Sequence, residues 1–351
     1  MAIDPEKFQK LANQLVGDMG VAFGAALVVV GDRLGLYKSL AEIGPATSEE
    51  LASRTGTFER YVREWLAAQA SAGYISYDAA AKRYFMSEEQ AMAFANENSP
   101  LFVPGAFEIA AAIMRDEPKI TEAFRSGRGV GWGEHDACLF RGTERFFRPG
   151  YATNLTSSWL PALEGVVAKL ERGASVADVG CGHGASTILM AKAYPKSRFA
   201  GFDFHQPSID RARELALEAG VADRVRFEKA AAKDFPGSYD LVGFFDCLHD
   251  MGDPVGAAAH VLSALKPEGT WMIVEPFAND ETAENLNPLG RMFYSASTMV
   301  CTPASRAQEV GLALGTQAGP KRLREVVTAG GFTRFRIATQ TPFNLVLEAR
   351  R

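Results

Sequence analysis

The chain has 351 residues, which at about 150 residues per domain suggests two domains. An apolar share of 47% and a charged share of 23% are those of a soluble globular protein and exclude a disordered or collagen-like chain. The formal net charge of −5 gives no reason to expect a polyanionic partner. Cys138, Cys181, Cys247 and Cys301 lie far apart with no C-x-x-C spacing, so neither a disulfide framework nor a zinc site is expected. The first residues lack the basic start of a signal peptide, and the longest apolar run, Gly20 to Val30, is shorter than the ~20 residues that span a bilayer. The expectation is a cytoplasmic protein with no metal.

Residues 1–98 read as a helical module. Ala22 to Leu40 carries Phe23, Leu27, Val30, Leu34 and Leu36 at helical spacing. The stretch Val21 to Val30 is apolar on all sides, which predicts a helix buried in the fold or against a second subunit. Thr47-Ser48-Glu49-Glu50 is a capping box that opens a short helix. Thr57 is a candidate cap for the next helix, with Tyr61, Trp65, Leu66 and Ala70 on one face and Gly73 as its stop. Tyr74 to Tyr77 and Arg83 to Met86 flank a polar tip and read as a hairpin. Three helices and a two-stranded wing are the order of a winged helix. From Thr57 to Phe85 four basic residues face three acidic ones, a weak footprint for phosphates. The module therefore reads as a structural or dimerisation domain, with nucleic acid disfavoured as a partner.

Residues 99–165 read as a helical linker or lid. Gly127 to Gly133 is a glycine-rich loop, followed by His135. The aromatic-rich run Phe146 to Tyr151 reads as core, with a lid or wall of a small-molecule pocket as the alternative.

From residue 166 to 351 strands and helices alternate. Val176 to Val179 is a short apolar strand, followed by Gly180-Cys181-Gly182-His183-Gly184 and a helix from Ala185. Strands follow at Arg198 to Phe202, Val225 to Glu228, Tyr239 to Phe245 and Thr270 to Val274, with a turn at Lys266 to Gly269. Two closing strands run from Phe332 to Ala338 and from Asn344 to Ala349. This order predicts an α/β fold with a doubly wound, mainly parallel, seven-stranded Rossmann-like sheet.

The glycine loop stands where such a sheet binds its ligand. Its glycines permit positive φ and close approach of the backbone, and the helix behind it presents free amides. Asp203, at the tip of the second strand, is placed to accept two ribose hydroxyls, with Phe204 beside it. In isolation Gly180-x-Gly182-x-x-Ala185 also fits a dinucleotide fingerprint, so a nicotinamide-dependent oxidoreductase is one alternative. A DNA-binding regulator that senses a ligand is the other. Three features favour a methyl donor. Asp178 precedes the first glycine by two, Asp234-Phe235 follows the third strand where it could meet an adenine, and the sheet closes with two strands around Gly330-Gly331-Phe332.

On these motifs residues 170–351 resemble the catalytic domain of class I S-adenosylmethionine-dependent methyltransferases. The whole chain resembles small-molecule O-methyltransferases with an N-terminal winged-helix dimerisation domain. The resemblance implies S-adenosyl-L-methionine as cofactor and a homodimer. It implies a cofactor set of Asp178, Gly180, Cys181, Gly182, Gly184, Asp203, Phe204, Asp234, Phe235 and Asp246. It also implies that His249, in Leu248-His249-Asp250 after the fourth strand, is the general base for an acceptor hydroxyl, oriented by Glu275. The family's second acid falls near Gln317, which is not an acid. His135 is a rival base. Phe146, Trp159, Met292 and Phe293, with His135, are the candidate substrate residues and suggest a hydrophobic small-molecule acceptor.

Overall fold

The structure is a computed structural model that describes residues 3–351. It divides into two compact units: residues up to 114 with 141–149, and residues 115–140 with 150–351. The segment expected as one linker, 99–165, is shared between them.

The first unit opens with the helices Pro5–Arg33, Leu36–Ile43, Ser48–Thr55 and Glu59–Ser71. The strands β1 (Ser76–Asp78) and β2 (Arg83–Phe85) form an antiparallel hairpin, and the helix Glu88–Phe94 follows. The Thr47–Glu50 capping box is present in both directions. The next helix begins at Phe58 without a side-chain cap, because the Thr57 hydroxyl meets that of Thr55 at 2.8 Å. Its inner face is Val62, Trp65, Leu66 and Gln69, and Tyr61 is 80% exposed, so the buried stripe is rotated by one residue from the one expected. The Trp65 indole donates to the Leu27 carbonyl at 2.9 Å, and its ring fills the space left by Gly31, where any Cβ would collide with it. Arg145 is nearly buried and joins Asp32, Glu97 and Glu108, whose own side chain is fully buried. Glu108 also pairs with Arg141, so truncating Arg145 removes one of its two cationic partners.

The first helix differs most from its sequence reading. It starts at Pro5, capped by Asp4, and buries Ala25, Val28, Val29 and Gly31 alone. Phe8, Leu15, Val16, Met19 and Phe23 are exposed. The apolar run Gly20–Val30 is thus the end of a 29-residue helix with an 18-residue window of mean hydropathy 1.7. By length and composition it could cross a membrane, whereas the run alone is too short.

The second unit holds seven strands: β3 (Ser175–Val179), β4 (Arg198–Asp203), β5 (Val225–Lys229), β6 (Tyr239–Phe245), β7 (Leu265–Pro276), β8 (Arg334–Gln340) and β9 (Asn344–Arg350). They lie in the order β5-β4-β3-β6-β7-β9-β8. The first five are mutually parallel, and β9 is antiparallel to both its neighbours. The turn expected at Lys266 to Gly269 is an irregularity inside β7, where the register to β6 slips between Tyr239 and Leu241. Pro267 cannot donate to the ladder there. Ala177, Phe202, Val242, Phe244, Trp271, Ile273 and Leu347 pack with Val261 of the helix Pro254–Ala264 and Val327 of the helix Gly319–Ala329 in one core. The chain leaves β3 toward β4 on one side and reaches β6 on the other, so the crevice of a doubly wound sheet opens at the end of β3.

Gly180, Gly182 and Gly184 follow β3 with φ of 72°, 51° and 78°. A Cβ on Gly184 would stand 2.5 Å from the Phe227 ring, whereas one on Gly182 would meet nothing within 4 Å. Gly182→Ala should therefore cost only the left-handed backbone penalty, about 1–2 kcal/mol. Gly184→Ala should cost about 2–4 kcal/mol because the ring must also move. Equal losses in urea unfolding would show that the Phe227 contact does not matter.

Candidate active site

The loop after β3 is tied to the end of β4. The backbone N–H groups of Gly180 and Cys181 both donate to the Phe202 carbonyl, at 2.8 and 3.1 Å. Asp203 extends the tie: one carboxylate oxygen accepts from Gly182 N at 3.0 Å, the other from His205 N at 2.8 Å. Its carboxyl is buried, and burial pushes its pKa up against the pull of the His205 and Gly182 amides. Each oxygen has a second lone pair, so the group that shapes the loop can still accept from a ligand.

Asp178 sits at the base of the loop, fully buried. One oxygen accepts from the Ser186 and Thr187 hydroxyls at 2.6 Å each, and the other has no partner among the described residues. Burial pushes this carboxyl up to about 6, with Asp203 adding to the rise and the two hydroxyls opposing it. Cys181 is buried, while Phe204 is 49% exposed. Asp234 accepts from Ala231 N in its own turn at 2.9 Å. The expectation that Phe235 packs on an adenine meets a ring that is 1% exposed and part of the core, against Phe202 at 5.3 Å and His260 at 4.6 Å.

A second group of side chains gathers at the end of β6. Asp246 has φ 52°, an uncommon conformation for a residue with a side chain and one that often marks functional positions. Its two oxygens accept from Tyr151 Oη at 2.8 Å and Asn344 Nδ2 at 3.0 Å. Burial pushes its pKa up to about 7, Glu275 repels its charge, and Tyr151 and Asn344 work the other way. Glu275 accepts from Leu248 N at 2.9 Å and from His249 Nδ1 at 2.5 Å. Burial alone would lower the His249 pKa, but the Glu275 carboxylate and the neighbouring Cys301 hold it well above its ordinary value. Asp250, beside it, is pushed up to about 7 by burial, opposed by His249. Gln317 donates its amide to the Phe277 and Thr316 carbonyls at 3.1 Å each.

His135 lies apart from this group, paired with Asp116 at 2.9 Å and buried. Trp159 is fully buried and packs against Tyr151, and Phe293 is a core residue, whereas Met292 is exposed. Phe146 and Phe147 belong to the first unit, where their rings meet edge to face. Sequence reasoning missed Asn344, Cys301 and Asp116, and read Tyr151 only within an aromatic run, not as a partner of Asp246. Tyr151 and Asn344 reach Asp246 from 95 and 98 positions away, and no local spacing marks them.

Comparison with known proteins fits this geometry. Residues 170–331 match the family model described as a methyltransferase domain, and residues 22–96 match an Rv2258c-like winged HTH domain. An uncharacterized protein of Synechococcus sp. is 32% identical over 97 residues, 27% of this chain and 23% of that protein. The 27-O-demethylrifamycin SV methyltransferase of Amycolatopsis mediterranei is 28% identical over 169 residues, 46% of this chain and 57% of that protein. The chain thus spans less than two thirds of these two relatives. The mitomycin biosynthesis 6-O-methyltransferase of Streptomyces lavendulae is 23% identical over 90% of this chain and 94% of its own. Among solved structures, human N-acetylserotonin methyltransferase in complex with SAM superposes with a TM-score of 0.73 at 18% identity, covering 97% of each chain. The mitomycin 7-O-methyltransferase MmcR gives 0.70 at 21% identity, covering 99% of this chain and all of that one. The chain carries a methyltransferase domain with the mainly parallel seven-stranded sheet of that fold, behind a winged helix-turn-helix domain.

Proposed function

We propose that the protein transfers a methyl group from S-adenosyl-L-methionine to a hydroxyl of a small hydrophobic acceptor. The observation that carries this reading is the turn after β3. Three glycines there hold left-handed backbone, and the Asp203 carboxylate, already on the Gly182 amide, retains lone pairs for a ribose. Open space around the Cα of Gly182 suits close approach of an adenosyl ligand. Two of the relatives named above are, by their names, a methyltransferase of 27-O-demethylrifamycin SV and a 6-O-methyltransferase of mitomycin biosynthesis. When bound, the cofactor supplies a methyl already activated as a sulfonium, so positioning is the main requirement and is worth about 7–11 kcal/mol in well-oriented systems.

His249 takes the proton of the acceptor hydroxyl at Nε2. Glu275 holds the Nδ1–H and fixes that tautomer. A base acts only when unprotonated, and Glu275 raises the pKa of His249, so the rate must climb with pH to a midpoint above the ordinary histidine value of about 6.5.

Calorimetric titration with S-adenosylhomocysteine tests the cofactor. Binding is expected, and Asp203→Ala should weaken it about 10- to 100-fold. Binding of NADH in its place would favour the oxidoreductase alternative and defeat the methyl-transfer reading.

The pH profile of kcat/KM on a phenolic or alcoholic acceptor tests the base. Glu275→Gln removes the charge that lifts His249 and leaves the burial that lowers it, so the rising limb should move to lower pH. A limb that stays put shows that His249 is not the group that titrates.

The same reading makes the protein a cytoplasmic homodimer. The exposed apolar face of Pro5–Arg33 is covered by a second copy, and Gly17, Gly20 and Gly24 have open space where another helix could approach. Light scattering should give twice the monomer mass. The double substitution Val16→Glu and Phe23→Glu should halve it. A wild-type monomer that sediments with lipid vesicles would assign this helix to a membrane instead.

A further inference from the structure

The segment Gly127–Phe140 is a strap over the carboxyl ends of the parallel strands. At its start, Val130 N donates to the Pro303 carbonyl at 3.1 Å and Arg306 donates to the Gly127 carbonyl at 3.3 Å. That neighbouring helix, Thr302–Arg306, is fastened to the His249 turn, for Ser305 Oγ donates to the Met251 carbonyl at 2.8 Å. At its far end the strap rests on the tip of β4. Phe140 lies on the His205 ring at 4.7 Å, Trp132 lies on Phe140 at 5.4 Å, and Gly133 stands against the edge of His205. Its two anchors thus stand beyond the carboxyl ends of β4 and β6, the strands that flank β3.

His135 is set into this strap with unusual care. Its Nδ1 is 2.9 Å from one oxygen of Asp116, which also accepts from Asp136 N at 2.9 Å, and the other oxygen takes the Lys119 ammonium at 2.7 Å. Lys119 also donates to the Glu134 carbonyl at 2.5 Å, so it clamps the same turn. The His135 side chain is fully buried and that of Asp116 nearly so. Burial pushes the Asp116 carboxyl up, but Lys119, the Asp136 amide and His135 outweigh it and hold the group below its usual range. An ionised Asp116 keeps the proton of a neutral imidazole on Nδ1 and leaves a lone pair on Nε2. That nitrogen is buried with no hydrogen-bond partner among the described residues. A buried acceptor left unmatched is unfavourable, and such groups are usually matched by something.

We propose that His135, oriented by Asp116, accepts a hydrogen bond at Nε2 from a ligand hydroxyl held beneath the strap. The chemistry is shared by two sources: the ribose of the cofactor, which Asp203 places near His205, and the hydroxyl of the methyl acceptor. The inference rests on the methyl-transfer reading for the identity of these ligands. His135 is a positioning residue for whichever it meets.

His135→Asn separates this from a structural tie. The Asn amide N–H stands in for Nδ1–H and keeps the link to Asp116, while the acceptor at Nε2 is lost. Two affinities are measured, that for S-adenosylhomocysteine by calorimetry and the KM for the acceptor, beside the melting temperature. About a 10-fold or greater loss in the first assigns the ribose, and the same loss confined to the second assigns the methyl acceptor. Asp116→Asn, which removes the charge that fixes the tautomer, should weaken the same ligand. Variants that fold and bind both ligands like the wild type overturn the proposal, as does a lower melting temperature with both affinities intact. A wild-type protein that takes NADH instead of S-adenosylhomocysteine defeats the methyl-transfer reading alone, and the same variants then test His135 on the ribose hydroxyls of that dinucleotide.

Discussion

The carbonyl of Phe202 receives two consecutive backbone donors from the neighbouring loop, and this junction sets everything around it. It locks the turn after β3 onto the tip of β4, and Asp203 adds a third link through Gly182. Such a tight path requires three glycines in left-handed conformations. The result is a cradle whose floor is backbone and whose wall is one carboxylate. Phe202 itself lies in the main core beside Phe235 and Tyr239, so the position of the cradle is inherited from the packing of the sheet.

Around the adjoining crevice the second unit gathers the buried carboxyl groups of Asp178, Asp203 and Glu275 and the half-buried ones of Asp246 and Asp250. Three of them are pushed up by burial to about 6 or 7, where a proton is easily held. His249 sits among them with Glu275 on its Nδ1. A cation at that ring is favoured by its neighbours even though burial opposes it. The protonation of Asp246, Asp250, His249 and Glu275 is therefore coupled, because each of the two aspartates feels both His249 and Glu275.

Much of this was legible in the sequence. The glycine spacing after Asp178, the strand–helix alternation and the capping box at Thr47 are local signals, and each produced the expected element. The pairing of His249 with Glu275 was legible only through family resemblance, since 26 positions separate them. Tyr151 and Asn344 were not legible, because they converge on Asp246 through topology. The reading of Phe235 as a ligand contact went astray for a general reason. An aromatic beside an acidic turn looks the same in sequence whether its ring faces the cleft or the core. The first helix shows the limit of composition: an apolar run does not say whether its face is buried within the chain or left for another surface, and within this chain most of it lies open.

Gly184 and Gly201 both face the ring of Phe227, and each would collide with it if it carried a Cβ. Two positions on separate segments are thus kept small by one large residue on a third. The three form a single volume account, so their evolutionary freedom is joint. A smaller side chain at 227 would have to come first before either glycine could grow, and the reverse order would pass through a broken loop.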